Sequence, residues 1–238
     1  MGQFKDQGGA ASMSPSPIFR WLSSKVISRF SSLEAQLKRH KLAEKERQNS
    51  NLDHCIEYFH QVEDGYSYLA SQCLEKLAKK YDVSIRCYLV SGPVGKNSAE
   101  PDLLLKLSAY DSSLIASQYD LAFPSSNTLP QSVLVEKAKA ILAKQTSEQL
   151  TLLLPKVSKA LWEGDESLLM SLEDEYGAAL SDEVAKIIES GSNRQKELKH
   201  YSGAMFFYGN EWYWGVDRLH HLEKRLTCLL YTSPSPRD

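Results

Sequence analysis

Apolar and polar positions along this chain switch between a helical period and a strand period, and the switches mark its elements. From Ile18 to Gln48, Phe19, Leu22, Val26, Phe30, Leu33, Leu37 and Leu42 recur at mostly helical spacing, with Arg20, Lys25, Arg29, Lys38, Arg39 and Lys41 between them. The spacing predicts a basic amphipathic helix or pair of helices over 18–50. After a polar break at Gln48–Asn51, the run Cys55–Phe59 predicts a strand and Val62–Gly65 a loop. Tyr66, Leu69, Ala70, Cys73, Leu74, Leu77, Ala78 and Tyr81 form one apolar face of a helix, and Val83–Val90 resumes as a second strand before Ser91-Gly92-Pro93 ends it. Residues 101–198 carry helical patterns with breaks expected at Phe123–Ser126, Pro155 and Trp162–Asp165. Two aromatic-rich runs, Met205–Tyr208 and Glu211–Trp214, then flank Gly209-Asn210, and an amphipathic segment follows over Val216–Leu226. That is strand, tight turn, strand, helix. The order predicts an α/β fold of β-α-β and β-β-α units, with an all-helical insertion over about residues 98–200.

The two ends read differently from the middle. Residues 1–17 are rich in Gly, Ser, Ala and Pro, a composition that buries too little apolar surface to fold and predicts a disordered tail. The segment Cys228–Asp238 resembles the reading-frame translation of a sequencing adapter, so it is expected to pack against nothing. The folded domain is then 51–227, and a missing C-terminal domain becomes a candidate partner. With 28 basic and 30 acidic residues the formal net charge is -2, which provides no global field for nucleic acid. No run reaches the roughly 18 apolar residues of a membrane span and no signal-peptide core is present, so the cytoplasm is the default location. The basic segment 18–50 suits a solvated face packed on the domain, and it also suits a membrane surface or organelle targeting. Cys55, Cys73, Cys87 and Cys228 include no Cys-x-x-Cys pair, which excludes dithiol exchange through that motif; Cys55, Cys73 and Cys87 read as buried small hydrophobes, and Cys228 leaves the count with the adapter-like tail.

Three separated words carry a family resemblance. Gly203-Ala204-Met205-Phe206 with Trp214-Gly215-Val216-Asp217-Arg218-Leu219, the insert word Lys159-Ala160-Leu161-Trp162-Glu163-Gly164-Asp165, and Asp64-Gly65-Tyr66-Ser67-Tyr68-Leu69 stand in the order found in DsbA-like proteins. The chain resembles the branch of 2-hydroxychromene-2-carboxylate isomerases and kappa-class glutathione transferases, over roughly Asp53–Leu226. The resemblance implies a thioredoxin-like β-α-β/β-β-α core with an all-helical insertion. It also implies glutathione as a candidate cofactor, and a small thiol or an aromatic carboxylate as the ligand class.

The chemical positions depart from that pattern. Asp64 stands where the family has the Ser or Cys that faces the substrate sulfur, Gly65 where Pro is usual, and Ala204 where a cis-proline exposes the docking edge. A hydroxyl can donate to a thiolate, whereas an ionised carboxylate repels it. Asp64 reads as a helix N-cap, worth about 1 kcal/mol and expected to titrate below its ordinary value, or as a reassigned acid or base. Ser67 matches the family's second Ser but has no adjacent general base in the sequence. Gly203-Ala204 is expected to be trans, since a non-proline cis bond costs about 2.5–4 kcal/mol. By the same resemblance Tyr66, Asn127, Ala204 and Asp217 would line a substrate or thiol pocket. Asp217 equally suits the first turn of the last helix. His200, His220 and His221 lack metal-ligand spacing, Ser91–Lys96 lacks the Ser/Thr of a phosphate loop, and the hairpin aromatics suit sheet packing. Two functions stay open: a divergent DsbA-like binding or assembly module with weak or no thiol chemistry, and a glutathione- or small-thiol-dependent isomerase or oxidoreductase.

Overall fold

The computed structural model describes residues 16–81, 83–93, 100–126 and 128–230. The chain divides into two compact units at Leu52/Asp53. In the first unit the basic segment forms two helices, α1 (Pro17–Phe30) and α2 (Leu33–Asn49). Ser16 caps the first by accepting from the Phe19 amide at 3.3 Å, and Ser32 caps the second by accepting from Ala35 at 3.2 Å. The break at Ser31-Ser32 follows from those hydroxyls, which offer the backbone a partner outside the helix. Helix α1 thus begins at Pro17, inside the stretch expected to be tail; residues 1–15 lie outside the described residues. Arg39 ties the pair together, donating to the Phe30 carbonyl at 2.8 Å with its guanidinium 4.3 Å from that ring's centre.

The second unit is built on one four-stranded sheet, β1 (Cys55–His60), β2 (Ser84–Leu89), β3 (Met205–Tyr208) and β4 (Glu211–Trp214), in the order β2-β1-β3-β4. β1 and β2 run parallel with Tyr58 opposite Cys87, and β1 and β3 run antiparallel with Tyr58 opposite Phe206. β3 and β4 form the hairpin, with Phe206 opposite Tyr213. Gly209 and Asn210 have φ of 52° and 64°, the left-handed pair that lets a two-residue turn follow the strand twist. The four strands expected from sequence share one sheet, within a residue or two at their ends.

Between β1 and β2 the expected single helix over 66–81 is two, α3 (Gly65–Ser71) and α4 (Leu74–Tyr81). The apolar face continues across the break, so periodicity alone cannot locate it. Ser71 turns its hydroxyl back onto the Tyr68 carbonyl at 2.7 Å, and Gln72 exchanges two hydrogen bonds with the Ala122 backbone at 2.9 and 3.0 Å. These contacts take the chain out of helical register. The insertion is helical as expected: α5 (Pro101–Ile115) with a 3-10 turn over Ala116–Tyr119, α6 (Ser132–Ala143), α7 (Ser147–Glu163), α8 (Glu166–Tyr176) and α9 (Ser181–Glu197). Pro155 does not break α7. Its neighbours Leu153, Leu154 and Val157 are buried in the main core, and that burial offsets the roughly 3 kcal/mol that an interior proline costs a helix.

The last helix, α10 (Gly215–Leu230), runs past Thr227. Leu229 packs partly against the core formed by Ile56, Tyr58, Leu74, Phe206, Leu222 and Leu226. The expectation that everything from Cys228 onward packs against nothing is therefore wrong at Leu229, which extends the spacing of Leu222 and Leu226. Residues 231–238 lie outside the described residues. Buried Arg225 reaches back from α10 to the hairpin and donates to the carbonyls of Tyr208 and Gly209, each at 2.9 Å.

Candidate functional site

The site forms where β1 ends, α3 begins and β3 starts. Asp64 is extended (φ -93°, ψ 126°) and accepts the Ser67 amide at 2.8 Å, which makes it the N-cap of α3. Its other oxygen accepts the hydroxyl of Ser108, on α5. Ser108 Oγ in turn accepts from the amides of Gly65 at 3.1 Å and Tyr66 at 3.4 Å. The first three amides of α3, the donors that a helix start leaves open, are all taken by side chains of this chain. Gly65 is required by the same packing, because a Cβ there would lie 2.8 Å from Ser112 Oγ and 3.1 Å from the Ser108 carbonyl. A proline ring at this position would meet α5.

Ser67 is the hub. Fully buried, its Oγ donates to Asp64 at 2.8 Å and accepts from the amides of Gln61 at 3.2 Å and Ala204 at 2.9 Å. A hydroxyl has one proton and two lone pairs, so Ser67 has no capacity left for a substrate. Ala204 follows a trans bond, with φ of 54°, and its carbonyl accepts the Gly215 amide at 2.8 Å. The backbone edge that the resemblance assigns to a thiol peptide is consumed by Ser67 and Gly215. The left-handed conformation of Ala204 costs of order 1 kcal/mol, held by those two bonds.

Asp64 titrates opposite to the capping expectation. Burial raises its pKa above 3.8, and the hydrogen bonds from Ser108, Ser67 and the Ser67 and Tyr66 amides offset that shift without reversing it. The expectation failed because it weighed the cap and the dipole without the desolvation imposed by α5. Nearby, His60 is fully buried and burial lowers its pKa from 6.5 to about 3. Its Nδ1 lies 3.2 Å from the Tyr58 hydroxyl, while Nε2 has no hydrogen-bond partner among the described residues. Burial also pushes the Cys73 thiol to about 11 and the Cys87 thiol to about 12, so both stay protonated at neutral pH.

Toward solvent, half-buried Tyr66 donates to Asp111 at 2.8 Å, and burial with that bond raises its pKa. Tyr119 donates to exposed Asp217 at 2.8 Å. Asp217 occupies the first turn of α10, where an acid offsets the helix dipole. The structure thus brings Asp64, Tyr66, Ser67 and Ala204 together and leaves Asp217 at the rim; Asn127 lies outside the described residues. Sequence reasoning missed Ser108, Asp111 and Ser112. The signal was there: small residues at Ser108, Ala109 and Ser112 on α5, continued by Ala116 in the 3-10 turn, recur at helical spacing and are all buried, a face that admits a close neighbour.

No protein-family profile and no curated protein matches this chain. Solved structures do. A 2-hydroxychromene-2-carboxylate isomerase aligns at 22% identity with a TM-score of 0.52, over 74% of this chain and 95% of its own. A "putative protein disulfide isomerase" from Nitrosomonas europaea aligns at 15% identity with a TM-score of 0.54, over 76% of this chain and 100% of its own. At these identities the likeness is one of fold. This chain has a thioredoxin-like α/β fold, with a helical insertion between its β-α-β and β-β-α halves.

Proposed function

We propose that this chain is a divergent DsbA-like protein whose thiol site is closed by its own side chains, and that it acts as a binding or assembly module without thiol chemistry. The observation that carries this is the occupation of the α3 start: Asp64, Ser108 and Ser67 take the amides of Gly65, Tyr66, Ser67 and Ala204. A glutathione or substrate thiolate would have to displace a buried carboxylate hydrogen-bonded to two serines, and that carboxylate, when ionised, repels it. The free thiols of Cys55, Cys73 and Cys87 suit a reducing compartment such as the cytoplasm.

One observation favours the enzyme alternative, an isomerase or oxidoreductase acting on a small thiol or aromatic carboxylate. Buried Asp64 has a raised pKa, as a proton-shuttling carboxyl would, with Tyr66, Asn127 and Asp217 as the candidate lining. Burial alone accounts for the shift, so activity must decide. The purified protein is expected to show neither insulin reduction nor glutathione-dependent transfer or isomerisation above background. Turnover that disappears in Asp64→Asn while the fold persists would overturn the module reading and establish the enzyme.

A further inference from the structure

We propose that α1 is a membrane-surface anchor that lies in the headgroup layer of an anionic bilayer. Its apolar side chains are large and unburied: Phe19, Trp21, Val26 and Phe30 are 61–65% exposed, and α1 buries no residue at all. At 100° per residue, Ile18, Phe19, Leu22, Val26 and Phe30 fall along one side, and Arg20, Ser24 and Ser28 fall opposite. Arg20, Lys25 and Arg29 are the only charges between Ser16 and Ser32, so the helix is purely cationic. An apolar stripe bordered by Lys25 and Arg29, with Trp21 and Ile27 each about 60° beyond its two margins, matches the chemistry of an anionic lipid surface. Fourteen residues extend about 21 Å, short of the ~30 Å hydrocarbon core, so the helix would lie on the bilayer. No described helix is long and apolar enough to cross one. Charge also argues against a second copy of α1 as the occupant, since pairing two such helices brings like charges together.

The test uses the full chain with vesicles of phosphatidylcholine, alone or with one third phosphatidylglycerol. Co-sedimentation is expected to be at least about tenfold tighter on the anionic vesicles and to weaken with salt. Phe19→Ser with Phe30→Ser should abolish binding, and so should Phe19→Ser with Val26→Ser, which leaves the contact of Arg39 with the Phe30 ring in place. Lys25→Glu with Arg29→Glu should remove the preference for anionic lipid. Equal, weak partitioning onto both vesicles would overturn the proposal. So would a dimer in solution that Phe19→Ser and Phe30→Ser dissolve, or a mature chain in its own cell from which residues 17–30 have been cleaved. None of these outcomes bears on the closed thiol site.

Discussion

Replacing Arg225 with leucine is expected to cost about 3–5 kcal/mol of folding stability, the range for breaking a buried charge network by removing one partner. The guanidinium is almost fully enclosed, at 3% side-chain exposure, and lies 3.6 Å from the Glu211 carboxylate. It donates to the carbonyls of Tyr208 and Gly209 at 2.9 Å and to the Tyr213 hydroxyl at 3.2 Å, which fastens the hairpin turn to α10. Leucine fills part of the space but removes the donor that both turn carbonyls share. Lysine keeps the charge and loses the fork, so Arg225→Lys should recover only part of the loss. Urea unfolding of the three proteins measures this, and a loss below about 1 kcal/mol for leucine would show that the network contributes little.

The second large effect is acid lability centred on His60. Because burial lowers its folded pKa from 6.5 to about 3, the unfolded chain takes up a proton through that window while the folded chain does not. The stability tied to neutral His60 is complete above pH 6.5 and is lost as pH falls toward 3. Between pH 7 and 4.5 the loss is about 3 kcal/mol, and the full window is worth about 5 kcal/mol. Asp64 works the other way. Its raised folded pKa means a contribution present below 3.8 and lost as pH rises through the folded value. Urea melts at pH 7 and pH 4.5 separate the two groups. The drop should be largely lost in His60→Phe, which removes the titrating ring, and should not shrink in Asp64→Asn, because the proton uptake of Asp64 opposes it. An unchanged drop in His60→Phe would place the acid sensitivity elsewhere.

The fold was legible because its elements obey simple periods. The short apolar and aromatic runs of the strands, Gly209-Asn210 at the turn and the apolar face of α10 each follow from local chemistry. What sequence reasoning missed came from long-range contacts. The break between α3 and α4 depends on Gln72 meeting Ala122, fifty positions away, and no local pattern encodes that meeting. Helix α7 continues through Pro155 because the leucines around it are buried. At the site, the N-cap role of Asp64 was readable from its place before an apolar helix. The direction of its titration was not, since that depends on α5 pressing Ser108 and Ser112 onto the α3 start. Ser67 matched a catalytic word by position, yet its hydroxyl proved to be fully occupied by Asp64, Gln61 and Ala204.

The closed site can be tested amide by amide. Glutathione titrated to millimolar concentration into isotope-labelled protein, followed by amide NMR, reports directly on the backbone donors of Gly65, Tyr66, Ser67 and Ala204. The account predicts that none of these four resonances shifts, since each amide already donates to Asp64, Ser108 or Ser67. Saturable shifts at Gly65, Tyr66 and Ala204 would contradict it and show that the thiol site opens to a ligand.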